Sequence, residues 1–307
     1  MSIDLAPEQS ALYPHLHPYV VPLLDADDKT RILHAAKVEF IEHTQATYLL
    51  DRLEQLYEQP LQDRMDGLLI AGPTFSGKTH LVREFESRYP RDPNLGGDHV
   101  IQTVAYALAP DKPDVDELHR VILKAIGGGC LSNEKALTVR ERVLTSARAC
   151  GLKMLFLDEI HGVLNGSPSR QRHIMSVIKN LSNIMQVSIV LLGTREAFIA
   201  TSAAVEVQSR FPAEWLPGWE TDDEEFKGLL RGFEQQLPLR KASHLRELSA
   251  LLHEMCEGSL GWLSRLLAMA ARTAIKSGEE RITAELLSGL RWVPPSKRRL
   301  DDGEAAA

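Results

Sequence analysis

The clearest chemical pattern in the sequence is a run of residues spaced as in a phosphate-binding loop: Gly72, Pro73, Thr74, Phe75, Ser76, Gly77, Lys78 and Thr79. The glycines of such a loop let backbone N–H groups surround phosphate oxygens. Lys78 is expected to reach the β and γ oxygens, and the hydroxyl of Thr79 to ligate Mg²⁺. An apolar run precedes the loop and a helical pattern follows it, so the positive end of a helix would face the anion. The sequence therefore predicts that all these residues bind a nucleoside phosphate together with Mg²⁺.

Two acidic residues, Asp158 and Glu159, follow the apolar run at residues 153–157. In a parallel sheet, ligands bind outside the carboxyl ends of the strands, and a carboxylate there is placed to hold a metal ion. Asp158 is expected to hold Mg²⁺ through water, and Glu159 to orient or deprotonate an attacking water. The alternative is a solvated acidic pair that caps a helix.

Two polar residues further along the chain are candidates for sensing and completing this site. Thr194 ends the apolar run at residues 187–193, where its hydroxyl is placed to sense a γ-phosphate or to hold the lytic water. Arg210 lies in a short charged turn before a possible edge strand at residues 214–216. By itself Arg210 would be a surface arginine. After the phosphate loop and the acidic pair it becomes a candidate arginine finger, which would act across a subunit interface.

The elements that must position these residues alternate between apolar strands and amphipathic helices. Strands are predicted at residues 67–71, 99–107, 153–157 and 187–192, and helices at residues 30–57, 78–88, 115–126, 134–150 and 170–185. Such alternation predicts an α/β fold in which helices cover both faces of a parallel sheet.

After residue 218 the pattern contains helices only, at residues 222–236, 243–257, 260–277 and 283–289. The expected domain organisation is an N-terminal extension and helix (1–62), an α/β nucleotide-binding core (63–218), a helical lid (219–290) and a basic tail (291–307). The tail is expected to be solvated by default, and its alternative role is a docking peptide for a protein partner or for DNA.

Composition limits the class of protein and of partner. With 44% hydrophobic residues the chain is too apolar to be disordered, and its net charge of −7 requires that any nucleic-acid contact come from a local basic patch. The three cysteines have no close-spaced pair, which predicts buried reduced thiols in a cytoplasmic protein. No signal peptide or apolar run of about 18 residues is present, so neither export nor membrane insertion is expected.

The order of these motifs resembles the AAA+ ATPases, and more closely the TniB/TnsC family of ATP-dependent transposition regulators. The resemblance covers about residues 30 to 299, and its most specific segments are Asp158-Glu-Ile-His161, Gly193-Thr-Arg-Glu-Ala197 and Gly258-Ser-Leu-Gly-Trp-Leu-Ser-Arg265. Further matching segments are at residues 62–74, 210–211, 216–219 and 237–240. Arg265 stands where many AAA+ proteins carry a second sensor arginine, which makes it a candidate nucleotide contact.

The resemblance implies an ATP-dependent switch. With ATP and Mg²⁺ bound, subunits would assemble head to tail as a ring or helical filament on duplex target DNA, recruit a DDE transposase with a target-selection adaptor, and disassemble on hydrolysis. Hydrolysis would be slow in an isolated subunit, because Arg210 would complete only the site of a neighbour. Family resemblance places the DNA contacts after the second strand, around Lys112 and Arg120.

Two other function classes stay open at this point. One is another DNA-linked AAA+ switch, such as a replication initiator or helicase loader. The other is a P-loop small-molecule kinase, which would need an acceptor pocket but neither Glu159 nor Arg210.

Overall fold

The computed structural model describes residues 12–37, 39–131, 133–164, 166–202, 205–221 and 223–299. The ends of the predicted N-terminal extension and of the basic tail, residues 1–11 and 300–307, lie outside this part. The chain divides into two compact units. The α/β unit spans residues 45–217, and the helical unit combines the residues up to 44 with those from 218 onward.

One parallel sheet organises the α/β unit. Its strands are β1 (Leu68–Ala71), β2 (Val104–Leu108), β3 (Met154–Asp158), β4 (Ser188–Gly193) and β5 (Ala213–Trp215). They are ordered β2-β3-β4-β1-β5, and all neighbouring pairs are parallel. The predicted α/β fold is confirmed; β4 is the central strand, and β1 lies between β4 and the edge strand β5.

The described residues form the α-helices α1 (Asp28–Ala35), α2 (Thr44–Glu58), α3 (Lys78–Arg88), α4 (Val115–Ala125), α5 (Ala136–Ala149), α6 (Pro168–Met185), α7 (Arg195–Ser202), α8 (Val205–Gln208), α9 (Glu224–Gln236), α10 (Ser249–Cys256), α11 (Leu260–Ser277) and α12 (Ala284–Gly289). Two 3₁₀ helices span Val21–Asp25 and Pro295–Arg299.

The central strands consist of apolar residues because both of their faces are covered. All residues of β1, β3 and β4 are buried, as expected for parallel strands between layers of helices. The sequence prediction for β2 begins too early, because residues 99–103 do not join the ladder. Ile101 forms an antiparallel bridge with Asp92, and the N–H of Gln102 donates to Cys150.

Polar side chains fix where two helices of this unit begin. The carboxylate of Asp114 accepts the N–H groups of Asp116 and Glu117 at 2.9 and 3.0 Å, which caps α4. Ser167 caps α6, and Pro168 at its first position suits a helix start. Helix α6 therefore begins two residues before the predicted one.

The continuous helix predicted over residues 30–57 is wrong. The structure has two helices there, α1 in the helical unit and α2 mostly in the α/β unit, with non-helical backbone at residues 39–43. Aromatic and β-branched residues have low helix propensity, and Phe40 and Ile41 lie in this break. The Ile41 side chain packs against α9 so closely that a Cβ on Gly232 would be 2.5 Å from it.

A buried ion pair joins α1 to the rest of the helical unit. Arg31 is fully buried, and its guanidinium donates to the Glu280 carboxylate at 2.9 Å and to the Pro238 carbonyl at 2.8 Å. Burial acts to raise the pKa of Glu280, but hydrogen bonds from Arg31 and from the Arg240 backbone hold that pKa below its ordinary value. Breaking such a pair would leave an uncompensated buried charge, so this contact fixes α1 in the unit.

Three sequence predictions outside the site need correction. Cys150 and Cys256 are buried free thiols as expected, but Cys130 is exposed. Residues 243–248 form turns before α10, because the Glu234 carboxylate accepts the N–H groups of both Ser243 and His244. The tail is only partly solvated: the Trp292 indole donates to the Met255 carbonyl and Pro295–Arg299 form a 3₁₀ helix, while Arg291, Lys297 and Arg298 stay exposed.

His119 on α4 is a buried group that should make stability depend on pH. Its residue is 4% exposed, and neither ring nitrogen has a hydrogen-bond partner among the described residues. Burial, aided by the charge of Arg140, lowers the pKa of His119 from 6.5. The unfolded chain then binds a proton that the folded chain does not. This contribution to stability is therefore present above pH 6.5 and is lost as the pH falls below that value.

We expect His119→Leu to remove this loss. When the pH is lowered from 7.5 to 5.5, the free energy of unfolding in urea should fall in both proteins. We expect the fall to be smaller in the variant than in the parent, by up to about 1 kcal/mol. His173→Leu, at an exposed position on α6, is the matched control and should keep the pH dependence of the parent. Equal pH dependence in both variants and the parent would contradict the role of His119.

Candidate nucleotide site

The phosphate loop connects β1 to α3 at the carboxyl edge of the sheet. The N–H of Gly72 donates to the Gly193 carbonyl at 3.1 Å. A Cβ on Gly72 would lie 2.3 Å from the Leu216 carbonyl oxygen, so only glycine fits at position 72. Gly77 has a φ of 100° directly before α3, a conformation that also favours glycine. The loop is thus shaped by close packing against β4 and the end of β5.

Lys78 begins α3 and points its ammonium group back into the loop. It is 7% exposed, and Nζ donates to the carbonyl oxygens of Gly72 and Pro73 at 2.9 and 2.7 Å. The Oγ of Ser76 lies 3.3 Å from Nζ. Burial lowers the pKa of Lys78, although Asp158 and Glu159 act to raise it. Phosphate oxygens would be stronger acceptors than these neutral carbonyls.

Asp158, at the end of β3, is nearly inaccessible to solvent, with 2% of its surface exposed. Its Oδ2 accepts the hydroxyl of Thr79 at 2.8 Å and the hydroxyl of Tyr106 at 2.8 Å. Burial, together with the bond to Asp158, raises the pKa of Tyr106 above its ordinary value. A hydroxyl and a carboxylate oxygen side by side are the hard donors that Mg²⁺ prefers, so the predicted pair Thr79 and Asp158 fits this metal.

Glu159 leaves the strand in a left-handed conformation with a φ of 57°. Its N–H donates to Oδ1 of Asp158 at 2.8 Å, while half of its side chain stays exposed. Its Oε2 lies 3.1 Å from Nδ1 of His161. The turn thus presents an accessible carboxylate next to the buried Asp158. A residue that orients or deprotonates water needs such access to solvent.

Thr194 lies beside these acids because β3 and β4 are neighbours. The N–H of Ile160 donates to the Leu192 carbonyl at 2.9 Å, which holds the two strand ends together. The Thr194 hydroxyl donates to the carboxylate of Glu196, and this bond is the main cause of a lowered pKa of Glu196. Glu159 and Thr194 therefore each have a neighbouring side-chain partner at this edge.

The structure corrects the expected exposure of Arg210. It follows α8 and precedes β5 as predicted, but only 3% of its surface is exposed. Its guanidinium donates to the side-chain oxygen of Asn183 on α6, and its Nε is buried without a partner among the described residues. Burial lowers the pKa of Arg210 from its ordinary value. The arginine is therefore turned into its own subunit.

The remaining predicted site residues lie apart from the phosphate loop or outside the α/β unit. Lys112 is exposed in the turn after β2. Arg120 donates to the carbonyl oxygens of Leu131 and Glu134 at 2.8 and 2.6 Å, so its guanidinium braces a neighbouring loop. Arg265 lies on α11 of the helical unit, with its guanidinium 4.9 Å from the centre of the Trp262 ring. The roles of all three stay predictions.

Sequence reasoning missed Tyr106 and Glu196. The alternation of side chains along β2 predicts the position of the Tyr106 hydroxyl only if β2 is known to border β3. The hydroxyl then lies beside the end of β3. Glu196 stands two residues after Thr194, a spacing that allows a local contact but does not require one.

Comparison with protein families supports the motif analysis. The family model described as bacterial TniB protein matches residues 31–221. No curated protein matches this sequence. None of the helices among the described residues combines the length and the apolar character needed to cross a bilayer.

Solved structures with a similar fold include ORC and Cdc6 proteins. The Aeropyrum pernix ORC2 protein, in ADPNP-ADP complexes, has a TM-score of 0.55 and 17% identity over 79% of this chain and 64% of its own. The Aeropyrum pernix ORC1 protein in complex with DNA has a TM-score of 0.52 and 18% identity, covering 94% and 69%. Cdc6p from Pyrobaculum aerophilum has a TM-score of 0.56 and 11% identity, covering 84% and 68%. This chain spans about two thirds of the length of these proteins, and the likeness establishes the AAA+ fold.

Proposed function

Because this chain belongs to the family of bacterial TniB proteins, we propose that it is an AAA+ ATPase that regulates DNA transposition. With ATP and Mg²⁺ bound, its subunits assemble on duplex target DNA as a ring or helical filament. The assembly recruits and activates a DDE transposase, assisted by a target-selection adaptor. ATP hydrolysis then releases the subunits.

One observation carries the proposal: Thr79 at the end of the phosphate loop and Asp158 at the tip of β3 meet at 2.8 Å. Glu159 follows Asp158 with an accessible carboxylate. A nucleoside triphosphate bound by the loop would therefore have the ligands of its metal ion at the same edge of the sheet as a carboxylate that can activate water. This arrangement favours hydrolysis over transfer to a small acceptor.

The residues of the site divide the work between binding and hydrolysis. Residues 72–77 give backbone N–H groups to the phosphates, and Lys78 exchanges its loop carbonyls for the β and γ oxygens. Thr79 and Asp158 would hold Mg²⁺, which when bound would supply positive charge to balance the charge that develops on the phosphates. Glu159 takes up a proton from the attacking water, and Thr194 orients that water or senses the γ-phosphate.

The helical unit is the lid of this proposal, with Arg265 as its contact to the nucleotide. Arg210 acts in trans on the nucleotide of a neighbouring subunit. Because it is buried against Asn183 here, assembly must draw its guanidinium outward before it can stabilise charge on that nucleotide. Slow hydrolysis by isolated subunits follows from this requirement.

We expect Asn183→Ala to make Arg210 easier to release. The loss of one hydrogen bond from a charged group, about 1.5–3 kcal/mol, corresponds to a roughly 10- to 100-fold faster steady-state hydrolysis of ATP by subunits assembled on DNA. The gain should vanish when Arg210→Ala is added, and Arg210→Ala alone should impair hydrolysis. If assembled Arg210→Ala subunits hydrolyse ATP like the parent, Arg210 is only structural.

The DNA part of the proposal rests on family membership and on similar folds. Archaeal ORC1 was solved in complex with DNA and ORC2 with ADPNP and ADP, and this chain shares their fold. In a replication initiator or helicase loader the partner would differ, while the nucleotide site would work in the same way.

Negative-stain imaging with a non-hydrolysable ATP analogue and duplex DNA tests the proposed function. We expect rings or filaments that require both the analogue and DNA. Dispersed monomers under all conditions would contradict the proposal and favour a small-molecule kinase.

A further inference from the structure

Two segments of the helical unit contain basic but no acidic residues. Residues 258–278 include Arg265, Arg272 and Lys276, and residues 286–300 include Arg291, Lys297 and Arg298. The chain as a whole has 42 acidic and 35 basic residues and is therefore negatively charged, whereas these two segments carry only positive charges.

Helical spacing aligns the cations of the first segment. Arg265 and Arg272 are seven residues apart on α11, about two turns, and Lys276 follows Arg272 by roughly one more turn. All three residues are exposed. They therefore lie along one side of the helix over about 16 Å.

The tail is fixed beside this row by two tryptophans. Trp292 donates its indole N–H to the Met255 carbonyl at 2.8 Å, and its ring meets that of Trp262 edge to face with centroids 6.1 Å apart. The Arg298 guanidinium lies 4.4 Å from the Trp262 centroid and 4.7 Å from the Trp292 centroid. Arg265 also lies against the Trp262 ring, so the tail brings Arg298 to the end of the row at which Arg265 lies.

We call Arg272, Lys276, Arg291, Lys297 and Arg298 the basic face. All five are exposed. Among the described residues, none of the five has a carboxylate within ion-pair distance, and Nε of Arg298 donates instead to the Val293 carbonyl at 2.7 Å.

Four other cations of the same unit pair with carboxylates. Arg31 and Arg240 pair with Glu280, and Lys227 and Arg246 pair with Glu224. On the tail side, the Glu257 carboxylate accepts the Ser296 N–H at 3.0 Å and so helps to seat the tail. The basic face thus concentrates positive charge that the subunit leaves uncompensated.

We propose that the basic face binds the phosphate backbone of duplex DNA. Closely spaced Lys and Arg side chains without internal partners match a polyanion and gain affinity by releasing its counterions. Trp262 and Trp292 already contact each other and Arg298, so they are not free to stack on bases. The contact is therefore sequence-tolerant. This inference rests on the proposed function and adds a second DNA contact, on the helical unit, to the one expected near Lys112.

Charge reversal within the full-length chain tests the basic face. Arg272→Glu on α11 and Lys297→Glu on the tail are compared with Arg231→Glu, which makes the same charge change at an exposed position of α9. Binding to a labelled duplex is measured by fluorescence anisotropy with a non-hydrolysable ATP analogue over a series of salt concentrations. Each face variant should reduce the slope of log affinity against log salt by about one, and the double variant by about two, whereas Arg231→Glu should leave it unchanged.

The outcomes separate this inference from the proposed function. If the parent binds duplex DNA and all three variants keep its slope, or all lose the same amount, the basic face is not a DNA contact. The same holds if the face variants lose only transposase binding. If the parent itself binds no duplex with the ATP analogue, the proposed function fails and this inference fails with it.

Discussion

The Glu159→Gln variant should bind ATP and assemble on DNA like the parent, but hydrolyse ATP about 100- to 10,000-fold more slowly. That range is the usual contribution of a positioned general base. Glu159 follows the buried Asp158 with half of its side chain exposed, so it can reach a water molecule. Glutamine keeps the size and the hydrogen bonds of the side chain but cannot take up a proton.

Steady-state phosphate release and imaging of the assemblies check this expectation together. The variant should persist on DNA with ATP under conditions in which the parent disassembles. Glu141→Gln, an exposed residue of α5 that pairs with Arg140, is the control and should behave like the parent. Normal turnover by the Glu159 variant would remove Glu159 from its catalytic role.

The second large effect concerns Lys78. Lys78→Ala should weaken ATP binding roughly 10- to 100-fold, since a hydrogen bond between charged groups contributes about 1.5–3 kcal/mol. Nζ already bonds to the Gly72 and Pro73 carbonyls. The ammonium group thus already lies at the loop, so binding a nucleotide requires no large movement of the chain. The other residues of the loop cannot compensate for its loss.

Calorimetric titration with ATP and Mg²⁺ measures this change directly. Lys135→Ala, at an exposed position before α5, removes the same charge and should leave the affinity unchanged. Because Lys78 is buried, thermal unfolding must show that its variant is folded. A folded Lys78 variant with the affinity of the parent would contradict the assignment of the loop.

The parts of the site that local spacing determines were predictable from the sequence. The phosphate loop needs a strand, a tight turn and a helix in immediate succession, and β1, residues 72–77 and α3 follow that order. Asp158 and Thr194 were placed correctly at strand ends because parallel strands end at one edge of the sheet. Helix α11 was predicted with the bounds it has, because its apolar positions recur at helical spacing over many turns.

Features that depend on distant contacts were not predictable in the same way. Tyr106 reaches Asp158 only because β2 borders β3, and nothing in the local sequence fixes that order. The burial of Arg210 depends on Asn183, 27 positions away, and α1 is held by the pair Arg31 and Glu280, 249 positions apart. Helices α7 and α8 were missed because short segments near Thr194 and Arg210 carry weak helical periodicity.

Calorimetric titration of the parent chain with a non-hydrolysable ATP analogue tests the central claim most directly. The account predicts uptake of one nucleotide per chain, tightened by Mg²⁺ through the oxygens of Thr79 and Asp158. No uptake of adenine nucleotide by the folded chain, with or without the metal, would contradict it.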